Sequence, residues 1–291
     1  MQVVLLGYGG PESLAEVRPF LERITAGRRI PQARLEQVVG NYEAIGGKSP
    51  FNELTRKQAA ALEIELGRRG TPIPVRVAYR FMPPFITDVA REARERENES
   101  VAVILAVHQS EASWDKYVEL FPDATFAQPF SGAQGFVDAH EERIYAALAE
   151  LGRHSFDDTA LIFTAHSIPV EMSERSRYAE QLRESAELIA ARFGSPPFHI
   201  AYTSRSGNPA EQWLEPDVRD LLRDLAKAGV TEAVIDPAGF VCDHVEVLYD
   251  LDVDAAAVAR DLGIRVARAQ ALNDHPAFIS ALADRVQACI G

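Results

Sequence analysis

Short, nearly unbroken apolar runs fall at residues 3–6, 75–79, 101–106, 125–127, 160–164, 199–203, 233–235 and 264–266. Runs this short and without strict alternation predict strands buried on both faces. Between them, apolar residues recur every three or four positions, as in residues 13–24, 53–69 and 168–193, and predict amphipathic helices. Gly229 stops the helix before the run at 231–235. Strand and helix alternate throughout, so the chain should be α/β, with parallel sheets covered on both faces. Eight strands divide evenly into two four-stranded sheets.

The halves echo each other. LLGYGGPESL near residue 8 parallels IFTAHSIPVEM near residue 166, each a buried strand, a polar residue and a Pro-marked helix start. VILAVHQS near residue 108 parallels AVIDPAGFVCDH. Two similar Rossmann-like domains are expected, at 1–150 and 151–291, joined where Gly152 and a polar run interrupt the pattern. A last helix at 275–289 is expected to pack back on the first domain.

Composition narrows the function. At 291 residues the chain can bury a core whether it forms one domain or two. A net charge of −13 with no Lys/Arg-rich run argues against nucleic-acid binding. Cys242 and Cys289 are the only cysteines, too few for the four thiolates of an ordinary iron–sulfur cluster, and they fit a reducing compartment. No apolar run reaches the length of about 18 residues that a membrane span needs. The opening strand follows no basic n-region or cleavage site, so a cytoplasmic home is expected.

Candidate chemistry gathers at strand ends, where open α/β sheets place their ligands. Glu246, Asp250 and Asp254 follow the strand at 233–235 and share one face if helical. Like charges at that spacing destabilise a helix unless a cation or protons neutralise them. His166 directly follows a buried strand, His108 also ends one, and His244 stands two residues before Glu246; a neutral imidazole binds metal or accepts a proton. His140, His154, His199 and His275 need no special role. Neither HExxH nor CxxC is present, so any metal would be assembled by the fold, and His nitrogen with carboxylate suits iron(II), zinc or cobalt(II). The first turn, Gly7-Tyr8-Gly9-Gly10, lacks the third glycine of a dinucleotide loop but places Tyr8 at a strand end. GNYEAIGGKSP at 40–50 holds Tyr42, Lys48 and Ser49, and Arg28 with Arg29 offers a landing place for carboxylates.

YGGPE, NYEAIGGKSP, TAHSIP around His166, NPAEQWLEPDV at 208–218 and GFVCDHVEVLYD together resemble the ferrochelatases, over most of the chain. The resemblance implies two α/β domains of the class II chelatase kind with a porphyrin cleft between them. It implies catalytic and metal-binding roles for His166 and Glu246, which would face each other across the macrocycle, and an acidic path through Asp250 and Asp254. Substrate contacts are expected from Tyr8, Arg28, Tyr42 and Ser49.

Tyr8 and the YEAIGG form look most like the branch that metallates coproporphyrin III, where the matching tyrosine is the axial ligand of the iron product. Thr25 and Asn41 stand where that branch commonly has propionate-holding arginines, Ser131 replaces an aromatic hydroxyl, and Val107 replaces a proline. Propionate contacts are therefore expected to differ, with Arg28, Arg29 or Lys48 as candidates. A protoporphyrin IX ferrochelatase and a non-catalytic haem or porphyrin binder are the alternatives. The expected partners are a porphyrin and Fe2+ as substrates, with contacts to other haem-pathway enzymes; no resident cofactor and a monomeric state are expected.

Overall fold

The structure is a computed structural model describing residues 1–26, 31–205 and 211–290. Arg28 and Arg29 lie outside these described residues, as do residues 208–210 of the NPAEQWLEPDV stretch.

In chain order the first half contains β1 (Gln2–Gly7), α1 (Leu14–Ile24), α2 (Gln32–Ala44), α3 (Phe51–Arg68), β2 (Val75–Tyr79), α4 (Ile86–Glu95), β3 (Ser100–Ile104), α5 (Lys116–Leu120), β4 (Thr125–Phe126) and α6 (Gln134–Glu150). The second half contains β5 (Ala160–His166), α7 (Val170–Ser176), α8 (Tyr178–Ala190), β6 (Phe198–Thr203), α9 (Val218–Lys227), β7 (Glu232–Asp236), α10 (Val245–Leu248), α11 (Ala256–Asp261), β8 (Arg265–Arg268) and α12 (Pro276–Ile290). One π-helical turn, Glu111–Asp115, precedes α5, and another, Asp250–Ala255, precedes α11.

The two sheets have the same plan. Their orders are β2-β1-β3-β4 and β6-β5-β7-β8, and every pairing is parallel. In each, the chain runs from the first strand to one side and then crosses over it to the other. The point where order reverses lies between β1 and β3 in one sheet and between β5 and β7 in the other. Open α/β sheets bind their ligands at such points, above the carboxyl ends of the strands.

Period-two alternation sends successive side chains into different cores. Val3 and Leu5 of β1 join a core that also takes Leu161 and Phe163 of β5, Phe136 of α6 and Phe278 of α12, so one apolar interior runs through both halves. Val4 and Leu6 face outward onto α4 and α5, and Ile162 and Ile235 face α9 and α11. The expected single helix over 168–193 is broken. Arg177 takes a left-handed conformation (φ 56°) between α7 and α8, and the Ser173 hydroxyl accepts the Ala179 amide across the break.

Three contacts lock the halves. Helix α12 lies against α3 and α6, and Arg69 at the end of α3 reaches the Ser280 hydroxyl at 2.6 Å and Asp284 at 2.5 Å. His140 of α6 and Asp236 of β7, both wholly buried, pair at 2.9 Å. His275 bonds Glu142 at 3.1 Å. His140 and His275, for which no special role was expected, are thus ties between elements.

Candidate active site

Tyr8 follows β1. The turn after it depends on two glycines: Gly9 has φ +85°, and a side chain on Gly10 would meet the Ser49 hydroxyl at 2.6 Å. Asn52 of α3 holds Gly10 from both sides, accepting its N–H at 2.9 Å and donating to its carbonyl at 2.8 Å. The Tyr8 ring is 40% exposed and packs on Phe81 at 4.6 Å and on Phe20 at 6.2 Å. Arg80, after β2, lays its guanidinium 4.7 Å over Phe81 and donates to the Ala112 carbonyl at 2.6 Å. Among the described residues Arg80 has no carboxylate partner within ion-pair distance.

His166 ends β5. It meets Glu246 because the segment after β7 folds back tightly onto β5. Gly239 donates its N–H to the Thr164 carbonyl at 2.9 Å, and a Cβ there would lie 2.4 Å from that of Ala165, so only glycine fits. The chain then runs through Cys242 and Asp243 to His244, whose extended backbone precedes α10, and Glu246 sits in the first turn of that helix. His166 Nδ1 and Glu246 Oε2 are 3.1 Å apart, and both side chains remain about one-third exposed, at 30% and 36%. The Tyr178 hydroxyl donates to the His166 carbonyl at 3.2 Å. His244 Nε2 is 3.9 Å from the same Glu246 oxygen, and its ring stacks on Phe51 at 6.1 Å.

These groups set one another's charge. Burial works to raise the Glu246 carboxyl, but the charge and hydrogen bond of His166, with His244, outweigh it and hold Glu246 at about 2. Burial likewise works to lower His166, and Glu246 and Asp250 turn the balance upward. His166 thus carries a proton shared with Glu246 further up the pH scale than a free imidazole would. His244 is pushed down, chiefly by burial. Asp250 is raised to about 7 by burial, against the Ser204 hydroxyl that hydrogen-bonds it and with the help of the Glu246 charge. Burial and Glu246 also raise the Tyr8 and Tyr42 hydroxyls well above the usual phenol range, which places these side chains of the first half within electrostatic reach of Glu246 in the second.

Not every expected residue joins this group. Ser49 is buried, and its hydroxyl accepts the Phe51 amide at 3.3 Å beside the Gly10 turn. Lys48 pairs with Glu53 at 3.6 Å. His108 is buried, with Nε2 on the Ser185 hydroxyl at 3.1 Å. Asp254 pairs at 2.9 Å with Arg219, a guanidinium it shares with Asp217. Arg80, Ser204 and Arg219 were missed, because a lone Arg or Ser outside a motif has no signal until the fold places it.

A family model described as ferrochelatase matches residues 1–289. The chain belongs to the ferrochelatase family. Among its relatives, a coproporphyrin III ferrochelatase of Frankia alni is 39% identical over 309 residues, covering 98% of this chain and 79% of that protein. A ferrochelatase of Deinococcus radiodurans is 36% identical over 298 residues, covering 98% and 94%. The sirohydrochlorin chelatase SirB of Bacillus subtilis, solved with Fe3+ and with cobalt, shares the fold of this ferrochelatase-family chain; for the Fe3+ form the TM-score is 0.59 at 13% identity over 99% of this chain and 96% of that one. Among the described residues no helix is long and apolar enough to cross a membrane, and no group of three or more His, Cys, Asp or Glu side chains is arranged to hold a metal ion.

Proposed function

We propose that this chain inserts Fe2+ into a porphyrin, coproporphyrin III in preference to protoporphyrin IX, in the cytoplasm and as a monomer. The observation that carries the reading is the His166–Glu246 pair, 3.1 Å apart at the strand ends of one sheet and within electrostatic reach of Tyr8 on the other. Two donors with the rest of the coordination sphere open suit a metal that is handed on. Insertion releases two pyrrole protons for each Fe2+ bound, so acceptors must stand beside the donors. Glu246, ionised down to about pH 2, attracts the cation. As Fe2+ takes the carboxylate, His166 loses the charge that kept it protonated, releases its proton to solvent at its exposed edge and becomes able to accept one from a pyrrole nitrogen. Asp250, titrating near 7, is the next acceptor.

Tyr8 ends the path on the product side. Its hydroxyl stays protonated in the free protein, and it would bind as phenolate only after an external one-electron oxidant such as dioxygen had converted the inserted Fe2+ to Fe3+, a step outside the insertion itself. Arg80, on the Tyr8–Phe81 wall and without a carboxylate partner among the described residues, is suited to a carboxylate of the porphyrin that the reading requires. Fe2+ and porphyrin are the substrates, no resident cofactor is needed for these steps, and other haem-pathway enzymes would supply the porphyrin and take the product.

A metallation assay with coproporphyrin III and protoporphyrin IX tests this, following loss of free-base fluorescence. The wild-type protein should insert Fe2+ faster into coproporphyrin III. Glu246→Gln should cost about 100-fold or more in kcat, the scale of losing a positioned acid–base group, with porphyrin binding little changed. Undiminished turnover by Glu246→Gln would refute the assignment.

A further inference from the structure

Glu246 sits on a short, irregular piece of chain. Helix α10 spans only Val245–Leu248, and the π-helical turn Asp250–Ala255 follows, with the Asp254 amide bonded to the Tyr249 carbonyl at 2.9 Å. One turn of helix has little stability of its own, so what fixes Glu246 against His166 must come from outside it.

Both ends of this segment converge on one guanidinium. Arg268, at the end of β8 and 14% exposed, donates through Nη1 to Asp243 Oδ1 at 3.0 Å, just before His244. Its Nη2 donates to Asp252 Oδ2 at 2.8 Å, within the π-helical turn, and Nε takes the other Asp252 oxygen. Asp243 has a second set of partners. Asn273, held in a left-handed conformation at φ 48°, donates to Asp243 Oδ2 at 2.7 Å and accepts the Asp243 amide at 2.9 Å. The Asn273 amide bonds the Val241 carbonyl at 2.8 Å. Its own carbonyl accepts from Gln58 of α3, fully buried, at 2.7 Å, and the same Gln58 amide reaches Cys242 Sγ at 3.2 Å. The chain of contacts thus starts on the helix that carries the Gly10 turn, beside Tyr8, and ends on the two flanks of Glu246.

We propose that Arg268 and Asn273 are positioning residues for iron insertion, a brace that holds the Asp243–Asp252 segment so that the Glu246 carboxylate stays in register with His166. The inference rests on the insertion reading above. A planar fork reaches two carboxylates at once, whereas an ammonium on the same stem is a point charge that satisfies one. Displacing a reacting group by about 1 Å costs about 100-fold in rate.

The test compares wild-type protein with Arg268→Lys, which keeps the charge, and Asp252→Asn, which cuts only the more exposed half of the brace. Folding is checked by melting temperature. Folded Arg268→Lys should lose about 10- to 100-fold in kcat with the KM for porphyrin within about threefold. In a Glu246→Gln background the same change should cost nothing further, because Arg268 acts through Glu246. A crystal structure of Arg268→Lys should show Glu246 more than about 3.5 Å from His166, beyond hydrogen-bonding distance. An intact 3.1 Å pair with wild-type kcat in folded Arg268→Lys would overturn the brace. Should Arg268→Lys not fold, Asp252→Asn is read by the same three measures, with a smaller loss expected and an unchanged pair and rate decisive against the proposal. A wild-type protein inert toward every porphyrin would defeat the insertion reading alone, since the His166–Glu246 distance in the variants is read without substrate.

Discussion

Asp250 differs from its neighbours in the direction its environment pushes it. Glu246 is driven down to about 2 by two histidines, while Asp250, a turn further on, is raised to about 7. A carboxyl whose folded value lies above its unfolded one binds more protons in the native state, so between about pH 4 and 7 stability falls as pH rises. Asp250→Asn should therefore raise the melting temperature at pH 8 and leave it nearly unchanged at pH 4, as thermal denaturation at the two values would show. The same substitution should flatten the limb of kcat that rises through about pH 7; a limb that persisted would remove Asp250 from the proton path. His166 and Glu246 were legible in the sequence because each sits in a dense motif at the end of a buried strand. Their mutual effect was not. An isolated imidazole is mostly neutral at pH 7, and it is the 3.1 Å contact with Glu246, helped by the Asp250 charge, that raises His166 above that.

Among elements, the acidic stretch from Glu246 to Asp254 shows how far spacing alone can be taken. The i, i+4, i+8 pattern predicts one helical face bearing three like charges. In the structure α10 ends at Leu248, a π-helical turn takes over, and each carboxylate has its own partner: His166 for Glu246, Ser204 for Asp250 and Arg219 for Asp254. The cost expected of like charges is met by these partners, which come from β5, the segment after β6, and α9. None of that could be read from local sequence. Asp254 and Arg219 are both more than one-third exposed, and such pairs contribute about 0–1 kcal/mol. Asp254→Asn should accordingly change kcat by less than about threefold and lower the melting temperature only slightly. A loss matching that of Glu246→Gln would instead make Asp254 part of the reaction path. The break at Arg177 is a parallel case, since a left-handed residue other than glycine leaves no mark in the hydrophobic pattern.

For the molecule as a whole, the doubled sheet plan was legible because eight buried strands and their helices follow a regular rhythm. The shared interior was not, because periodicity reports which face of a helix is apolar and not which surface meets it. Helix α12 was expected to pack back on the first domain, and it lies on α3 and α6, but its apolar pattern did not name those two helices as the surface it meets. Its approach to α6 is close enough that a Cβ on Gly135 would stand 2.2 Å from the Ala277 carbonyl oxygen. Gly135→Ala should cost about 1–3 kcal/mol, the range for overpacking a tight contact, and lower the melting temperature without changing kcat per folded molecule. An unaltered melt would mean the contact is looser than it stands. Placing α12 there also separates the order of synthesis from the order of completion. The first sheet and its helices leave the ribosome early, but the apolar sides of α3 and α6 wait uncovered until residues 276–290 emerge. From the completion of α6 until α12 emerges, the growing chain carries an open apolar groove that α12 later fills, a transient surface of the kind that favours aggregation.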